Sequence, residues 1–205
     1  MAANPLINRG ITRNNMSDKK LWKNLKNGDS KALEQIYRTY FSELYSYGKK
    51  FTKDENNVED CIQELFIELW NRREKLSETD AIKPYLLVSL KRKIFHSVKK
   101  IRKSTDTELE ESFFEAELSI DQILINSEIG EEQKSKLNQA FSQLSARQKE
   151  ILYLKYYSEM DYDEISKIMD LNYQSARNLV SRALTKLSKH IILTILFMLS
   201  IADKA

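Results

Sequence analysis

The stretch Tyr162–Lys189 reads YDEISKIMDLNYQSARNLVSRALTKLSK. Its first part, Tyr162–Met169, places Ile165, Ile168 and Met169 at helical spacing. Asp170-Leu171-Asn172 makes a tight turn, and a longer helix runs from Tyr173 to about Lys189. A short helix, a three-residue turn and a longer helix form the helix-turn-helix pattern, whose second helix enters a DNA major groove. On that second helix Tyr173, Ala176, Val180, Ala183, Leu184 and Leu187 point to one side. Gln174, Ser175, Asn178, Arg182, Thr185 and Lys189 point to the other, with Arg177 and Lys186 on the flanks. Amides and hydroxyls near the N-terminus suit base edges, and the bases that follow suit phosphates.

Working outward, the same period continues. Leu137, Ala140, Phe141 and Leu144 make one stripe, and Ser145 caps a helix containing Ile151, Leu152, Lys155 and Tyr156. Much earlier, Leu33, Ile36, Tyr37, Tyr40, Phe41, Leu44 and Tyr45 repeat at three and four, with Gly48 near the helix end. A second helix follows the polar stretch Thr52–Asn57. Its apolar side is Val58, Cys61, Ile62, Leu65, Phe66, Leu69 and Trp70; its other side is Glu59, Asp60, Gln63, Glu64, Ile67 and Glu68. Ile67 among acids is a scattered surface residue or part of a contact face. After a loop from Asn71 to Lys83, Pro84 suits the first turn of another helix. There Leu87, Leu90, Ile94, Val98 and Ile101 share one side, while Arg92, His96, Lys99 and Lys103 share the opposite one. A basic side without acids is the footprint of polyanion binding, since solvated helix faces mix signs to gain i,i+4 pairs.

The charge total hides this layout. Across 205 residues, 33 Lys and Arg oppose 30 Asp and Glu, a net of +3. Residues 91–103 hold seven bases and no acid; residues 104–132 hold ten acids and no base; residues 133–190 are basic again by +4. Only 4 Gly and 2 Pro argue for long helices and against a many-stranded sheet. The expectation is an all-α chain of two small helical domains, residues 17–104 and 133–190, joined by an acidic linker at 105–132. Residues 1–16 read as a disordered tail, with Met16 a candidate start. The linker is a nucleic-acid mimic, a segment folded back on the basic regions, or a solvated tether.

Other chemistry finds little support. The single cysteine, Cys61, allows no internal disulfide and no multi-Cys zinc site. No phosphate loop, nucleophile elbow or metal-ligand spacing occurs, so no catalytic residue, metal or cofactor is expected. The N-terminus has no secretory apolar core, which points to a cytoplasmic protein. Ile191–Ala202 is an uncharged run of twelve, short of the ~20 residues that span a bilayer. The tail 191–205 is therefore read as the last turns of a helix, with no stable membrane insertion.

Over roughly residues 20–190 the chain resembles the two-domain sigma factors of bacterial RNA polymerase, the extracytoplasmic-function group. Val58–Trp70, VEDCIQELFIELW, meets the family pattern at Asp60, Gln63, Glu64, Phe66 and Trp70. Ile82–Lys100 is similar to the next family helix, with Tyr85-Leu86 and Lys99 in place. The segment from Leu144 through Leu187 is similar to the family's helix-turn-helix domain, most specifically at Arg182-Ala183 and Leu187. The chain departs from the family at Arg92, often Asn; at His96, often Asp or Asn; and at Leu144-Ser145, usually Leu-Pro.

The resemblance implies a fold, partners and roles. The fold would be a region 2 helical bundle and a region 4 helix-turn-helix. The partners would be core RNA polymerase, at its clamp and flap, promoter DNA, and an anti-sigma factor. Asp60, Gln63, Glu64 and Ile67 would meet the clamp. The loop Asn71–Lys83 would capture an unstacked −10 base, with Asn71, Arg72, Arg73, Tyr85, Lys91, Arg92, His96, Lys99 and Lys103 serving the −10 element and backbone. Tyr173, Gln174, Ser175, Arg177, Asn178, Arg182 and Lys186 would serve the −35 element. Two rivals differ in class. A conventional regulator would bind duplex operators without polymerase. An enzyme on nucleic acid would need a carboxylate, metal or nucleophile cluster that the sequence lacks.

Overall fold

The computed structural model describes residues 18–79, 81–102, 114 and 138–202, with the side chains of 100–102 and 190–202 outside the description. Residues 1–16, Lys103, Leu137 and the linker 105–132 other than Phe114 lie outside the described residues, and the readings that fall on them stay there. The described chain is helix and connecting loop, the all-α class expected. One lobe holds α1 (Asp18–Lys26), α2 (Ser30–Gly48), α3 (Glu55–Asn71), a 3-10 turn (Arg73–Lys75) and α4 (Ile82–Arg102). The other holds a helical stretch at 138–142, α5 (Ala146–Leu152) continuing into a π-turn (Tyr153–Tyr157), α6 (Tyr162–Met169) and α7 (Tyr173–Ala202).

Helix ends are set by short polar side chains that satisfy backbone donors the helix leaves open. The Asp29 carboxylate accepts from the Lys31 N–H at 2.9 Å, and that of Asp54 from the Asn57 N–H at 3.1 Å. Ser145 with Gln148, and Asp161 with Glu164, form reciprocal capping boxes that start α5 and α6. Asp170 ends α6 in the left-handed region at φ 52°, which aspartate tolerates and a β-branched residue would not. The Asn172 side chain then accepts from the Ser175 N–H at 2.7 Å and opens α7. The three-residue turn is thus written in Asp170 and Asn172.

Three boundaries or faces differ from the sequence reading. Helix α3 begins at Glu55, inside the stretch Thr52–Asn57, because Asp54 caps it. Helix α7 does not end near Lys189 but continues to Ala202, so the apolar tail prolongs it. Among the described residues no helix is long and apolar enough to cross a membrane. Tyr173 and Leu184, placed on the packed side of α7, are 47% and 41% exposed. The seam that α7 buries is narrower, at Ala176, Val180, Ala183 and Leu187, since its packed neighbours are α5 and α6 on one side. The Tyr173 ring rests edge-on against Tyr162 instead.

The first lobe is centred on Ile36, Leu44, Ile62, Leu86, Leu90 and Ile94, all removed from solvent. Gly48 permits close approach of helices there: a Cβ would meet Val58 Cγ1 at 2.6 Å and Ile94 Cδ1 at 3.2 Å. The lobes then pack on each other, α4 against α6. Glu150 is only 4% exposed, and its Oε1 accepts from Tyr47 Oη and from Lys91 Nζ, each at 2.6 Å. Lys83 pairs with Glu43 at 2.7 Å and donates to the Ser158 carbonyl at 2.8 Å. Phe114 is buried between Phe51 and Tyr153, with ring centroids at 5.2 and 6.0 Å. Burial and the Glu150 carboxylate push the Tyr47 hydroxyl well above the ordinary tyrosine range, so it remains a donor at any working pH.

Removing one partner of a buried charge pair costs about 3–5 kcal/mol, because the other is left uncompensated. Glu150→Ala is expected to uncouple the lobes and split urea unfolding into two transitions. A single transition at the wild-type midpoint would show that the seam contributes nothing.

Candidate nucleic-acid interface

Helix α4 has the two sides its sequence demands. Leu86, Leu87, Leu90 and Ile94 are buried, and Arg92, His96 and Lys99 are exposed away from them. Not every candidate cation joins that outward face. Lys91 is half-buried on Glu150. Arg73 lays its guanidinium over the Trp70 ring at 4.6 Å and donates to the Trp70 carbonyl at 2.9 Å. Arg72 pairs with Glu68 at 2.7 Å from an exposed position, and Asn71 is the exposed last residue of α3.

The end of α3, the segment after the 3-10 turn and the start of α4 enclose a cleft of about 450 Å³. Its walls include Arg72, Leu76, Ser77, Tyr85, Ser89 and Arg92. Its volume falls within the ~300–1,000 Å³ of small-ligand pockets. The structure therefore brings Arg72, Tyr85 and Arg92 to one place, while His96 and Lys99 lie further along α4. An adjoining cleft of about 420 Å³ shares Ser77, Tyr85 and Arg92 and adds Lys167 from α6. Sequence reasoning singled out the loop Asn71–Lys83, which holds Ser77, but not Ser89 or Lys167. A single serine within a helix such as Ser89 carries no pattern, and Lys167 reaches the cleft only through the packing of the lobes.

The acidic side of α3 is exposed as expected. Asp60, Gln63 and Glu64 face solvent around Ile67, which is 61% exposed. Lys93 of α4 borders this face, pairing with Glu68 at 2.9 Å and with Glu64 at 3.8 Å. Lys93, then Arg72, hold the Glu68 carboxyl below its ordinary range. Cys61 behind this face is buried, and burial pushes its thiol up to about 11, so it stays protonated and unreactive near neutral pH. Among the described residues no group of three or more His, Cys, Asp or Glu is placed to hold a metal ion.

On α7, Gln174, Arg177, Asn178 and Arg182 are exposed and Ser175 is half-buried. Gln174 donates to the Asn178 side chain at 3.2 Å, one turn on, so the two amides form a single polar platform. Lys186 is tied to the Gln143 carbonyl. Arg147 of α5 donates to the Met169 carbonyl at 3.3 Å, fixing the end of α6 against the turn. The platform therefore stands on a braced support.

The family model described as Sigma-70 region 2 matches residues 36–104, and that described as Sigma-70, region 4 matches residues 134–187. The chain is 25% identical over 165 residues to the ECF RNA polymerase sigma factor SigM of Bacillus subtilis, spanning 76% of this chain and 93% of that protein. Its fold is similar to CnrH, solved in complex with the cytosolic domain of CnrY. That match has a TM-score of 0.58 and 15% identity, over 86% of this chain and 98% of that one. It is also similar to the sigma factor RpoE, solved with the anti-sigma factor NepR from Bartonella quintana. There the TM-score is 0.54 and the identity 20%, over 78% of this chain and 97% of that one.

Glu68 binds Lys93 and Arg72 in its ionised form, so its stabilising contribution is present at neutral pH and is lost as pH falls through its lowered folded value. Lys93→Met is expected to raise the Glu68 titration midpoint toward the ordinary carboxylate range. Carboxyl NMR titration reads this, and an unmoved midpoint would remove Lys93 as the cause.

Proposed function

This chain belongs to the sigma-70 family of RNA polymerase sigma factors, in its extracytoplasmic-function group, and on that premise we propose that it is a promoter-specificity subunit that reads both a −10 and a −35 element and helps open the DNA. The family is one of non-catalytic transcription-initiation factors, so the work is recognition and not bond chemistry. The observation that carries the reading is the pairing of two unlike surfaces in one chain: the acidic α3 face around exposed Ile67, and the amide-and-arginine platform of α7. A conventional regulator needs the second surface and has no use for the first.

In the proposed mechanism α3 docks on the polymerase clamp through Asp60, Gln63, Glu64 and Ile67. Acids attract a basic partner over long range, and the desolvated isoleucine contributes contact energy. The second lobe meets the flap. An unstacked −10 base enters the cleft beside Tyr85, with Arg92, His96 and Lys99 on nearby phosphates. Extruding a base costs a few kcal/mol, which stacking on an aromatic ring, worth ~1–3 kcal/mol per base, offsets. Gln174, Ser175, Arg177 and Asn178 enter the −35 major groove, and Arg182 and Lys186 hold its backbone. Lys91 and Arg73 take up phosphate only after leaving Glu150 and Trp70. RpoE was solved bound to an anti-sigma factor, which supports a restraining protein partner for this chain as well.

Core polymerase mixed with this protein and a promoter library is expected to give promoter-selective transcripts. The absence of selective initiation on every sequence would overturn the reading. Tight, sequence-specific gel shifts by the protein alone would favour the conventional regulator. Ile67→Glu should lower core-polymerase affinity at least tenfold, a loss of ~1.4 kcal/mol or more, while leaving the fold intact, because Ile67 is exposed. Arg182→Ala should weaken DNA binding across sequences and lower the salt slope by about one unit, whereas Asn178→Ala should relax preference at one position.

A further inference from the structure

Helix α1 lies behind the cleft and presents no residue to it, yet it holds two of the cleft's walls. Trp22 is removed from solvent altogether. Its Nε1–H donates to the Ser77 carbonyl at 2.9 Å, and its ring meets that of Tyr85 edge-on, with centroids at 5.0 Å and planes at 66°. Ser77 and Tyr85 both line the cleft. One turn on, Lys26 pairs with Glu78. At the start of the helix, the Asp18 carboxylate accepts from the Ile82 N–H at 3.2 Å, anchoring the first residue of α4, and is itself held by the Tyr40 hydroxyl. Three side chains at helical spacing thus grip one loop and the helix it leads into.

The Trp22 bond has a directional consequence. The described chain has no cis peptide bond, and in a trans peptide the carbonyl and the following N–H point to opposite sides. Turning the Ser77 carbonyl inward to Trp22 directs the Glu78 N–H outward. The ring contact similarly fixes the plane of Tyr85, the aromatic surface available for stacking. From these contacts we propose that Trp22 is a positioning residue for capture of the unstacked −10 base, and that Lys26 assists by holding Glu78. Trp22 acts through the Ser77–Glu78 peptide and the Tyr85 ring and never touches DNA. The inference rests on the base-capture reading of this cleft.

The test uses holoenzyme assembled from core polymerase and full-length protein. Heparin-resistant open complexes are measured on a promoter and on a series carrying one abasic site at each −10 position of the non-template strand. Trp22→Phe keeps the ring and removes the donor. It is expected to lower open-complex yield on the intact promoter about five- to tenfold, in line with the loss of one buried hydrogen bond. It should leave core affinity unchanged. At the captured position the abasic template should give equal yields for wild type and variant. Because Trp22→Phe also alters a buried site, Lys26→Ala, made closer to the surface, provides a second reading and should show a smaller loss with the same base dependence. An equal penalty for both variants on intact and abasic templates would make α1 merely structural, and no penalty on either would remove it from the site; both overturn the inference. If wild type itself is indifferent to every abasic substitution, the base-capture reading fails first, and this inference with it.

Discussion

The Glu150 carboxylate takes its two hydrogen bonds from Tyr47 and Lys91, both in the other lobe, and is almost wholly out of water. A buried carboxylate left unpaired would be costly, so the position of α5 is tied to that of α2 and α4. Around this point gather the Lys83 bond to Ser158 and the aromatic contacts of Phe114 with Phe51 and Tyr153. The placement of α6 on α4, and with it the arrival of Lys167 at the cleft beside Tyr85 and Arg92, follows from the same seam.

The cations divide by their partners. Arg73 is spent on Trp70, Lys91 on Glu150, Lys93 on Glu68 and Lys186 on a backbone carbonyl, whereas Arg92, His96, Lys99, Arg177 and Arg182 are presented outward. The same division orders the proposed mechanism. Outward cations meet phosphate directly, whereas Lys91, Arg73 and Lys186 brace the cleft and platform and reach phosphate only by leaving their partners. A count of positive charge cannot separate the two groups, because Lys91 and Arg92 are neighbours in sequence and differ only in which side of α4 they occupy.

Much of the architecture was legible from residues close in the chain. The turn at Asp170–Asn172 follows from an aspartate that tolerates the left-handed region and from the Asn172 side chain, which accepts from a backbone N–H three residues on, and Ser145 starts α5 by the same kind of local bond. The two sides of α4 follow from a 3.6-residue period. Ile67 among acids was read as a surface residue, and it is exposed, as its neighbours implied. The misreadings arose where a partner from elsewhere decides. Tyr173 and Leu184 looked packed because they are apolar at the right spacing, but Tyr173 meets the Tyr162 ring edge-on at the rim of α6 and both side chains stay exposed.

The sequence by itself therefore determined an all-helical chain, a helix-turn-helix, a basic side on α4 and an acidic one on α3, because local periodicity and capping act within a few residues. Only the tertiary structure decided that Trp22 reaches Ser77 and Tyr85, that Glu150 joins the lobes, and that Arg73 turns inward. Those contacts, apart from Arg73 on Trp70, bridge tens of residues, and in every case the direction of a side chain is chosen by what it packs against.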